Sequence, residues 1–155
     1  MNRENLIIRE AKKKDIKSIA ILLFGLKNQY GSCIERKEAE FILNYKLAIS
    51  EAIDSQLNHI WVAELDSQLI GFMSFTERLV LRLGGRVITM EELFVKKEYR
   101  RYGVALSMYK SSTKSFRRLG LNHLEVVSSM SHPGQREWGR KIGLEWFSSI
   151  HRLKL

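Results

Sequence analysis

The chain has 155 residues, of which 45% are hydrophobic, and it contains one proline and one cysteine. No apolar run reaches the roughly 18 residues that a membrane-spanning helix requires, and the first residues lack the apolar core of a signal peptide. The lone Cys33 excludes an intramolecular disulfide, so we expect one cytoplasmic domain over residues 1–155, without a membrane anchor. The net charge of +9 favours anionic partners such as nucleotide phosphates or nucleic acid.

The first third of the chain predicts a strand and two helices. Leu6 to Arg9 is a short apolar run typical of a strand. Apolar residues recur at helical spacing over residues 16–26, with Asp15 in the first turn, and again over residues 34–53. The side chains expected to face the core are Ile16, Ile19, Ala20, Leu23 and Leu26 in the first helix and Ala39, Ile42, Leu43, Leu47 and Ile53 in the second.

A first hairpin is predicted from two apolar runs, residues 59–64 and 69–75. Asp66 and Ser67 lie between them and are typical of a turn. Gly71, within the second run, indicates a bulge or a close contact with another backbone segment.

A second hairpin is predicted where Gly84 and Gly85 separate two apolar runs, because this pair suits a two-residue type I′ turn. If Leu83 lies opposite Arg86, the register along the two strands places Arg78 opposite Glu91. The same register sets Glu77 beside Glu92, which is unfavourable for two carboxylates unless a cation lies between them.

A basic loop containing a glycine joins a predicted buried strand, residues 87–95, to a predicted amphipathic helix, residues 104–119. The free N–H groups and the dipole at a helix N-terminus attract anions. Gly103 lets a ligand approach the backbone closely, and Arg100 and Arg101 can donate to phosphate oxygens. The segment therefore predicts a site for a phosphorylated ligand. The inward face of the helix is expected to carry Ala105, Met108, Ser112, Phe116 and Leu119.

The last part of the chain predicts a strand over residues 122–128, a short helix over residues 135–142, and a terminal strand or strand pair over residues 144–155. Strand and helix signals alternate along the whole sequence. This alternation indicates an α/β or α+β fold with a single sheet covered by helices.

The central loop carries a specific resemblance. Arg100-Arg101-Tyr102-Gly103-Val104-Ala105 fits the pattern Arg/Gln-x-x-Gly-x-Gly/Ala, and Leu93-Phe94-Val95 precedes it. Between an apolar strand and an amphipathic helix, this segment resembles the acetyl-CoA-binding motif of the GNAT superfamily of N-acetyltransferases. The resemblance implies a single mixed, mostly antiparallel sheet flanked by helices, with acetyl-CoA as co-substrate and an amine as acceptor.

The resemblance also implies roles for individual residues. Backbone groups of Leu93, Phe94 and Val95 would contact the pantetheine arm, with an oxyanion donor near Phe94. The pyrophosphate contacts would come from Arg100, Arg101, Tyr102, Gly103, Val104 and Ala105.

Acetyl transfer needs a base, because an ammonium group has no free lone pair. Glu91 and Glu92 are the candidates, since the family often places a carboxylate on the strand before the loop. Neighbouring strand residues face opposite sides, so only one can face the cleft, and Glu91 is slightly favoured.

The C-terminal part departs from the family pattern. Members commonly carry a tyrosine four residues before the glycine that closes the short helix, but Gly139 occupies that position and Trp138 precedes it. Three explanations stay open. Water or another residue, such as His132, protonates the departing thiolate; Tyr102 or Tyr109 does so; or the protein binds acetyl-CoA without efficient turnover.

The leading function is therefore an N-acetyltransferase, and the alternative is an acetyl-CoA-binding regulatory protein with weak or lost catalysis. A basic nucleic-acid-binding module is less favoured, because no nucleic-acid motif is present. The acceptor and a possible homodimer stay open: carboxylates favour a cationic amine, whereas the net charge favours an acidic peptide or an amino acid. The carboxylates that favour a cationic amine are Glu35, Glu38, Glu77, Glu91 and Glu92.

The histidines have no metal-ligand spacing, so no metal site is predicted.

Overall fold

A computed structural model describes residues 5–29, 38–126 and 133–145. Five strands form one sheet in the order β1-β2-β3-β4-β5. The strands are β1 (Leu6–Glu10), β2 (Asn58–Leu65), β3 (Gln68–Val80), β4 (Gly85–Val95) and β5 (Leu124–Val126). The helices are α1 (Ile16–Gln29), α2 (Glu38–Asp54), α3 (Val104–Arg118) and α4 (Pro133–Lys141). Neighbouring strands are antiparallel except for the parallel β4–β5 pair, so the predicted mixed, mostly antiparallel sheet with flanking helices is confirmed.

The sheet separates two apolar cores. On one face, Phe72 and Phe94 pack with residues of α1 and α2. On the other face, Met73 and Ile88 pack with residues of α3. The helix stripe predicted for α3 is confirmed at three positions, whereas Leu119 is 64% exposed because it follows the last helical residue. The three buried positions are Met108, Ser112 and Phe116.

The inward face predicted for α2 is partly wrong. Leu43 and Leu47 are 66% and 75% exposed, and Phe41 and Ile49 are buried instead. Phe41 also stacks on Tyr45, with ring centroids 4.1 Å apart. Two aromatic rings bury more apolar area than the two leucines, so the helix turns that stripe towards α1. The predicted start of α2, residues 34–37, lies outside the described residues.

The β2–β3 hairpin forms as predicted. Asp66 and Ser67 both have positive φ values, 48° and 64°, which a tight turn between β2 and β3 requires. Gly71 lies at a close backbone contact, since an added Cβ would come within 2.8 Å of the Phe94 carbonyl oxygen. The hairpin thus brings β3 tightly against β4.

The predicted register of the β3–β4 hairpin is wrong. The turn is longer than two residues, because Leu81–Leu83 form a 3-10 turn, and only Gly84 has a positive φ value, 62°. Arg78 consequently lies opposite Val87, and Glu77 opposite Ile88.

The carboxylate partners change with the register. Arg78 pairs with Glu125 of β5, and Glu77 accepts a 2.9 Å hydrogen bond from Arg86 Nη1. Glu77 and Glu92 are therefore not neighbours, and the predicted repulsion between them does not arise.

The end of the chain is described in part. The fifth strand comprises residues 124–126 of the predicted 122–128, and α4 begins at Pro133, two residues before its predicted start. Residues 127–132 and 146–155, which include His132 and most of the predicted terminal strand, lie outside the described residues. Over the described ranges, no helix has the length and apolar character needed to cross a membrane.

Candidate active site

Strand β4 lies between β3 and β5 in the sheet. In the described part of the chain, β5 pairs only with residues 88–90 of β4. On the other side, Met90 lies opposite Phe75 and Glu92 lies opposite Ser74, which leaves Glu91 as the unpaired residue of a β-bulge. The bulge increases the local twist of the strand. On the side of β5, residues 91–95 have no strand partner within the described ranges, and we call this stretch the open edge.

The open edge carries backbone groups directed away from β3. The Lys96 N–H donates to the Ile70 carbonyl of β3 at 2.9 Å. Because N–H groups alternate in direction along a strand, the Phe94 amide also points towards β3, and the amides of Leu93 and Val95 point to the open side. The direction of the Val95 carbonyl is consistent with this assignment, since it accepts a hydrogen bond from Arg100, which lies outside the sheet. The available amides near Phe94 are thus those of its two neighbours.

The loop after β4 has an unusual backbone. The φ value is −74° at Arg100, +64° at Arg101 and +77° at Gly103, and Tyr102 has no positive φ. Alternating φ signs turn successive N–H groups to the same side and form a concave anion-binding nest. Gly103 is also the N-cap of α3, with no side chain satisfying the free N–H groups of the helix. The predicted phosphate loop therefore has the required backbone geometry.

Arg100 holds this loop against the rest of the molecule. Its Nε donates to the Val95 carbonyl and its Nη2 to the Gln29 side-chain oxygen, both at 2.7 Å. The guanidinium group lies 5.5 Å from the centroid of the Phe94 ring. These contacts connect the loop to β4 and to the end of α1. Arg101, whose side chain is exposed, is the arginine available to an anion.

The two candidate carboxylates differ in their environments. Glu91 is exposed, whereas Glu92 is half-buried and accepts a hydrogen bond from the Ser74 hydroxyl. Burial raises the pKa of Glu92, the Glu91 carboxylate raises it further, and the Lys27 ammonium acts in the opposite direction. A raised pKa makes a carboxylate a better proton acceptor near neutral pH. Of the two candidate carboxylates, Glu92 therefore has the environment that suits a base, whereas the sequence analysis slightly favoured Glu91.

Lys27 of α1 contacts two aromatic side chains of α2. Lys27 Nζ of α1 donates to the Tyr45 hydroxyl at 2.5 Å. The same ammonium lies 4.4 Å from the Tyr45 ring centroid and 5.2 Å from that of Phe41.

Helix α4 brings two possible hydrogen-bond donors together. The rings of Tyr109 and Trp138 meet edge to face with centroids 5.8 Å apart. The Trp138 Nε1 donor is buried and has no hydrogen-bond partner among the residues that the structure describes. Gly139 is buried next to them, and an added Cβ there would contact Leu144 at 3.5 Å.

Two of these features escaped prediction. The bulge has a sequence signal, because adjacent Glu91 and Glu92 interrupt the alternation of an apolar strand. The hydrogen bond from Arg100 to Gln29 has no such signal, since the two residues belong to distant segments.

The nest of residues 100–103 follows directly after the strand that carries the half-buried Glu92, and this arrangement suits an acyltransferase. The Acetyltransferase (GNAT) family model matches residues 25–143, well over half of the chain. The chain therefore belongs to this family and is an N-acetyltransferase. No curated protein matches the sequence.

Solved structures share the fold. A transcriptional regulator from Bacillus halodurans is 18% identical, with a TM-score of 0.82 over 97% of this chain and 99% of that one. An aminoglycoside acetyltransferase from an uncultured soil metagenomic sample, in complex with sisomicin, is 10% identical, with a TM-score of 0.79 and coverages of 97% and 95%. An aminoglycoside N-acetyltransferase in complex with CoA is 16% identical, with a TM-score of 0.76 and coverages of 97% and 94%. At these identities the likeness concerns the fold alone.

Proposed function

We propose that this protein, as one domain over residues 1–155, transfers the acetyl group of acetyl-CoA directly to a primary amine in a ternary complex. The observation that supports this proposal most strongly is that two parts of the site are continuous along the chain. The open edge of β4 begins beside Glu92 and leads directly into the nest of residues 100–103. A donor with a long amide-bearing arm and a pyrophosphate matches both parts. A cytoplasmic location remains a prediction from the single cysteine.

The chain supplies hydrogen bonds for each part of such a donor. The amides of Leu93 and Val95 face the open edge and can pair with the amide groups of the pantetheine arm. The backbone of residues 100–105 receives the pyrophosphate, and the Arg101 side chain adds charge. Arg100 keeps this loop in place through its internal contacts.

The transfer step makes a C–N bond and breaks the thioester C–S bond. Glu92 takes a proton from the ammonium form of the acceptor, directly or through water, so that the nitrogen lone pair can attack the acetyl carbon. A backbone N–H at the open edge stabilises the tetrahedral oxyanion. The departing thiolate then takes a proton.

For that last proton we propose Tyr109. Its ring lies against Trp138, the neighbour of Gly139, so a phenol reaches the region of α4 where the family commonly carries its tyrosine.

A second candidate function is binding of acetyl-CoA for regulation with weak or lost catalysis. Gly139 favours it, because the family's usual acid is missing. The shared fold of the Bacillus halodurans protein, described as a transcriptional regulator, is compatible with it.

Calorimetric titration of acetyl-CoA tests the cofactor. Glutamate at position 103 adds bulk and negative charge inside the nest, so Gly103→Glu should abolish binding. The matched control is Gly120→Glu, at the other end of α3. Gly120 also has a positive φ, 79°, and open space around its Cβ position. We expect binding of about −8 kcal/mol, in the micromolar range, for the native protein and for the control.

Release of CoA across a panel of amines then separates the two functions. Release with at least one amine supports the enzyme. Binding without release with every amine supports the regulatory protein. An intact protein that does not bind acetyl-CoA contradicts both.

A further inference from the structure

The carboxylate of Glu92 fixes the face of the sheet on which the acceptor lies. Ser74 is opposite Glu92 in the β3–β4 register, and its hydroxyl donates a hydrogen bond to that carboxylate. Opposite residues of neighbouring strands share one face of the sheet. An amine that loses a proton to Glu92, directly or through water, therefore approaches over the face that carries Ser74.

Towards the C-terminal end of β4, this face is filled by the apolar core. Phe94 lies two residues after Glu92 and opposite Phe72, and both rings pack with residues of α1 and α2. The packing is close, because a Cβ added at Gly25 of α1 would come within 3.0 Å of the Phe94 ring. An acceptor bound at Glu92 therefore does not extend in this direction.

Towards the N-terminal end of β4, the same face is polar. Four polar residues lie opposite one another across four strands, and we call them the polar row. They are Asn58 of β2, Thr76 of β3, Thr89 of β4 and Glu125 of β5. Thr76 is two residues from Ser74, so the polar row lies about 7 Å from the Ser74–Glu92 pair. Thr76 and Glu125 are partly exposed, so solvent reaches this part of the face.

Arg78 connects the members of the polar row. Its Nε donates to the Thr89 hydroxyl at 3.2 Å, and its Nη2 forms an ion pair with the Glu125 carboxylate. Glu125 also lies 3.6 Å from Arg82 Nη2, so the charges of the row are paired with each other. Thr89 is 5% exposed, whereas the Arg78 side chain is 46% exposed. A ligand above the row therefore contacts the guanidinium group of Arg78 and not the Thr89 hydroxyl.

These groups suit a ligand hydroxyl better than a further charge. The Thr76 hydroxyl donates to the Asn58 side-chain oxygen at 3.2 Å, so its own oxygen can still accept a hydrogen bond. The Arg78 guanidinium has five N–H donors, more than its contacts with Thr89 and Glu125 use. A hydroxyl placed between the two side chains donates to Thr76 and accepts from Arg78. A second ammonium group or a carboxylate instead meets an opposite charge that is already in an ion pair.

We propose that Thr76 and Arg78 bind a hydroxyl group of the acceptor about 7 Å from its reacting nitrogen, and that the acceptor is a hydroxylated primary amine of the amino-alcohol or amino-sugar type. The inference rests on the proposed acetyl transfer and deepens it by naming the substrate class. Thr76 and Arg78 are then specificity-determining residues. They lie on the same face as the proposed base and take no part in the proton transfer.

Amines of one length that differ only at the far end test the proposal. We would measure kcat/KM for 5-aminopentanol against hexylamine, in which a methyl group replaces the hydroxyl. The native protein should favour the amino alcohol by about tenfold, because hexylamine covers the polar row without replacing the lost hydrogen bonds to water. This comparison needs no variant and decides the substrate class by itself.

A matched pair of variants tests the residue. Thr76→Val should reduce the preference for 5-aminopentanol to about threefold or less while leaving kcat/KM for hexylamine within about threefold. Thr113→Val makes the same change on α3, which packs on the other face of the sheet, and should keep the full preference. Unchanged acetyl-CoA affinity by calorimetry shows that both variants are folded.

Binding of the products gives a second readout that needs no turnover. In the presence of CoA, N-(5-hydroxypentyl)acetamide should bind more tightly than N-hexylacetamide, and Thr76→Val should reduce the difference. A protein with no transfer to any amine but with this preference would contradict the proposed catalysis and keep the hydroxyl site. Equal transfer to both amines together with equal binding of both products would keep the catalysis and overturn the hydroxyl site.

Two further outcomes overturn the proposal. One is a preference for cadaverine or for 6-aminohexanoate over 5-aminopentanol, because a charge of the polar row would then bind the acceptor. The other is a folded Thr76→Val variant that keeps the full preference, because the hydroxyl would then bind elsewhere.

Discussion

The Ser74 hydroxyl donates a hydrogen bond to the Glu92 carboxylate across the β3–β4 pair. The contact lies where the bulge at Glu91 shifts the register, so Ser74 faces Glu92 directly. Without the bulge, Ser74 would face Glu91, and the exposed carboxylate would occupy the half-buried position. The bulge thereby selects which of two adjacent carboxylates is buried, hydrogen-bonded and oriented.

Ser74→Ala should shift the acid limb of the pH–activity profile. Removing a donor that favours the charged carboxylate raises the pKa of Glu92 further, and a base is inactive below its pKa. Activity should therefore be lost at a higher pH than in the native protein as the pH falls. The measurement is kcat/KM against pH. Ser74→Thr keeps the hydroxyl and should keep the profile, and an unmoved limb in the alanine variant would contradict the role of Ser74.

Glu92→Gln should lower kcat by about 10²–10⁴-fold, the usual contribution of a general base. The amide has nearly the same shape, so affinity for acetyl-CoA should be unchanged by calorimetry. Glu91→Gln should change kcat within about fivefold, because that carboxylate is exposed. The reverse order of effects would restore Glu91 as the base.

Arg100 and Arg101 should respond differently to the same substitution. Arg100 needs its fork-shaped donors to reach the Val95 carbonyl and Gln29 together, so Arg100→Lys should weaken acetyl-CoA binding by about tenfold. Arg101 contributes charge from an exposed side chain, and Arg101→Lys should retain most of the affinity. Equal losses in both variants would mean that Arg100 contacts the donor directly.

Tyr109→Phe should lower kcat by about tenfold or more if its phenol protonates the thiolate. KM for acetyl-CoA should change little, since the ring and its packing on Trp138 remain. Tyr102→Phe, in the loop, serves as the matched control and should keep kcat. A normal kcat in Tyr109→Phe would leave water as the proton donor.

Asp15 should be important for stability, because Arg9 donates to both of its carboxylate oxygens and the Lys12 N–H donates at 2.7 Å. Asp15→Asn should cost about 2 kcal/mol in the free energy of unfolding, measured with urea. Asp54→Asn removes the charge of an exposed pair with Lys13 and should cost at most about 1 kcal/mol.

The same site predicts a pH dependence of stability. Burial acts to raise the pKa of Asp15, but the hydrogen bonds from Arg9 and the Lys12 N–H hold it below the ordinary 3.8. The contribution of Asp15 is therefore present above about pH 4 and is lost as the pH falls through the lowered folded-state pKa. Asp15→Asn should flatten this part of the stability curve. An unchanged curve would mean that another carboxylate causes the acid transition.

Much of the fold and part of the site could be predicted from the sequence, because these features depend on spacing along the chain. Helical periodicity located α1 and α3, the Asp66-Ser67 turn located a hairpin, and the glycine of the basic loop located the nest. Each signal is local, since one residue's backbone preference or one helix face produces it.

Where the sequence analysis was wrong, a packing or turn feature that the apolar pattern does not encode decided the outcome. The stacking of Phe41 on Tyr45 determines which face of α2 is buried. A 3-10 turn and the bulge determine the β3–β4 register. Neither feature follows from alternation alone, because a shift in register or a rotation of a helix preserves the local pattern.

The sequence by itself determined the order of the elements, the position of the phosphate loop and membership in the family, since all three follow from local spacing. Only the tertiary structure decided that Glu92 and not Glu91 is half-buried, and that Arg100 is hydrogen-bonded within the chain. These depend on which distant backbone segments pack together. The energy of a buried charge is set by its neighbours in space and not by its neighbours in the chain.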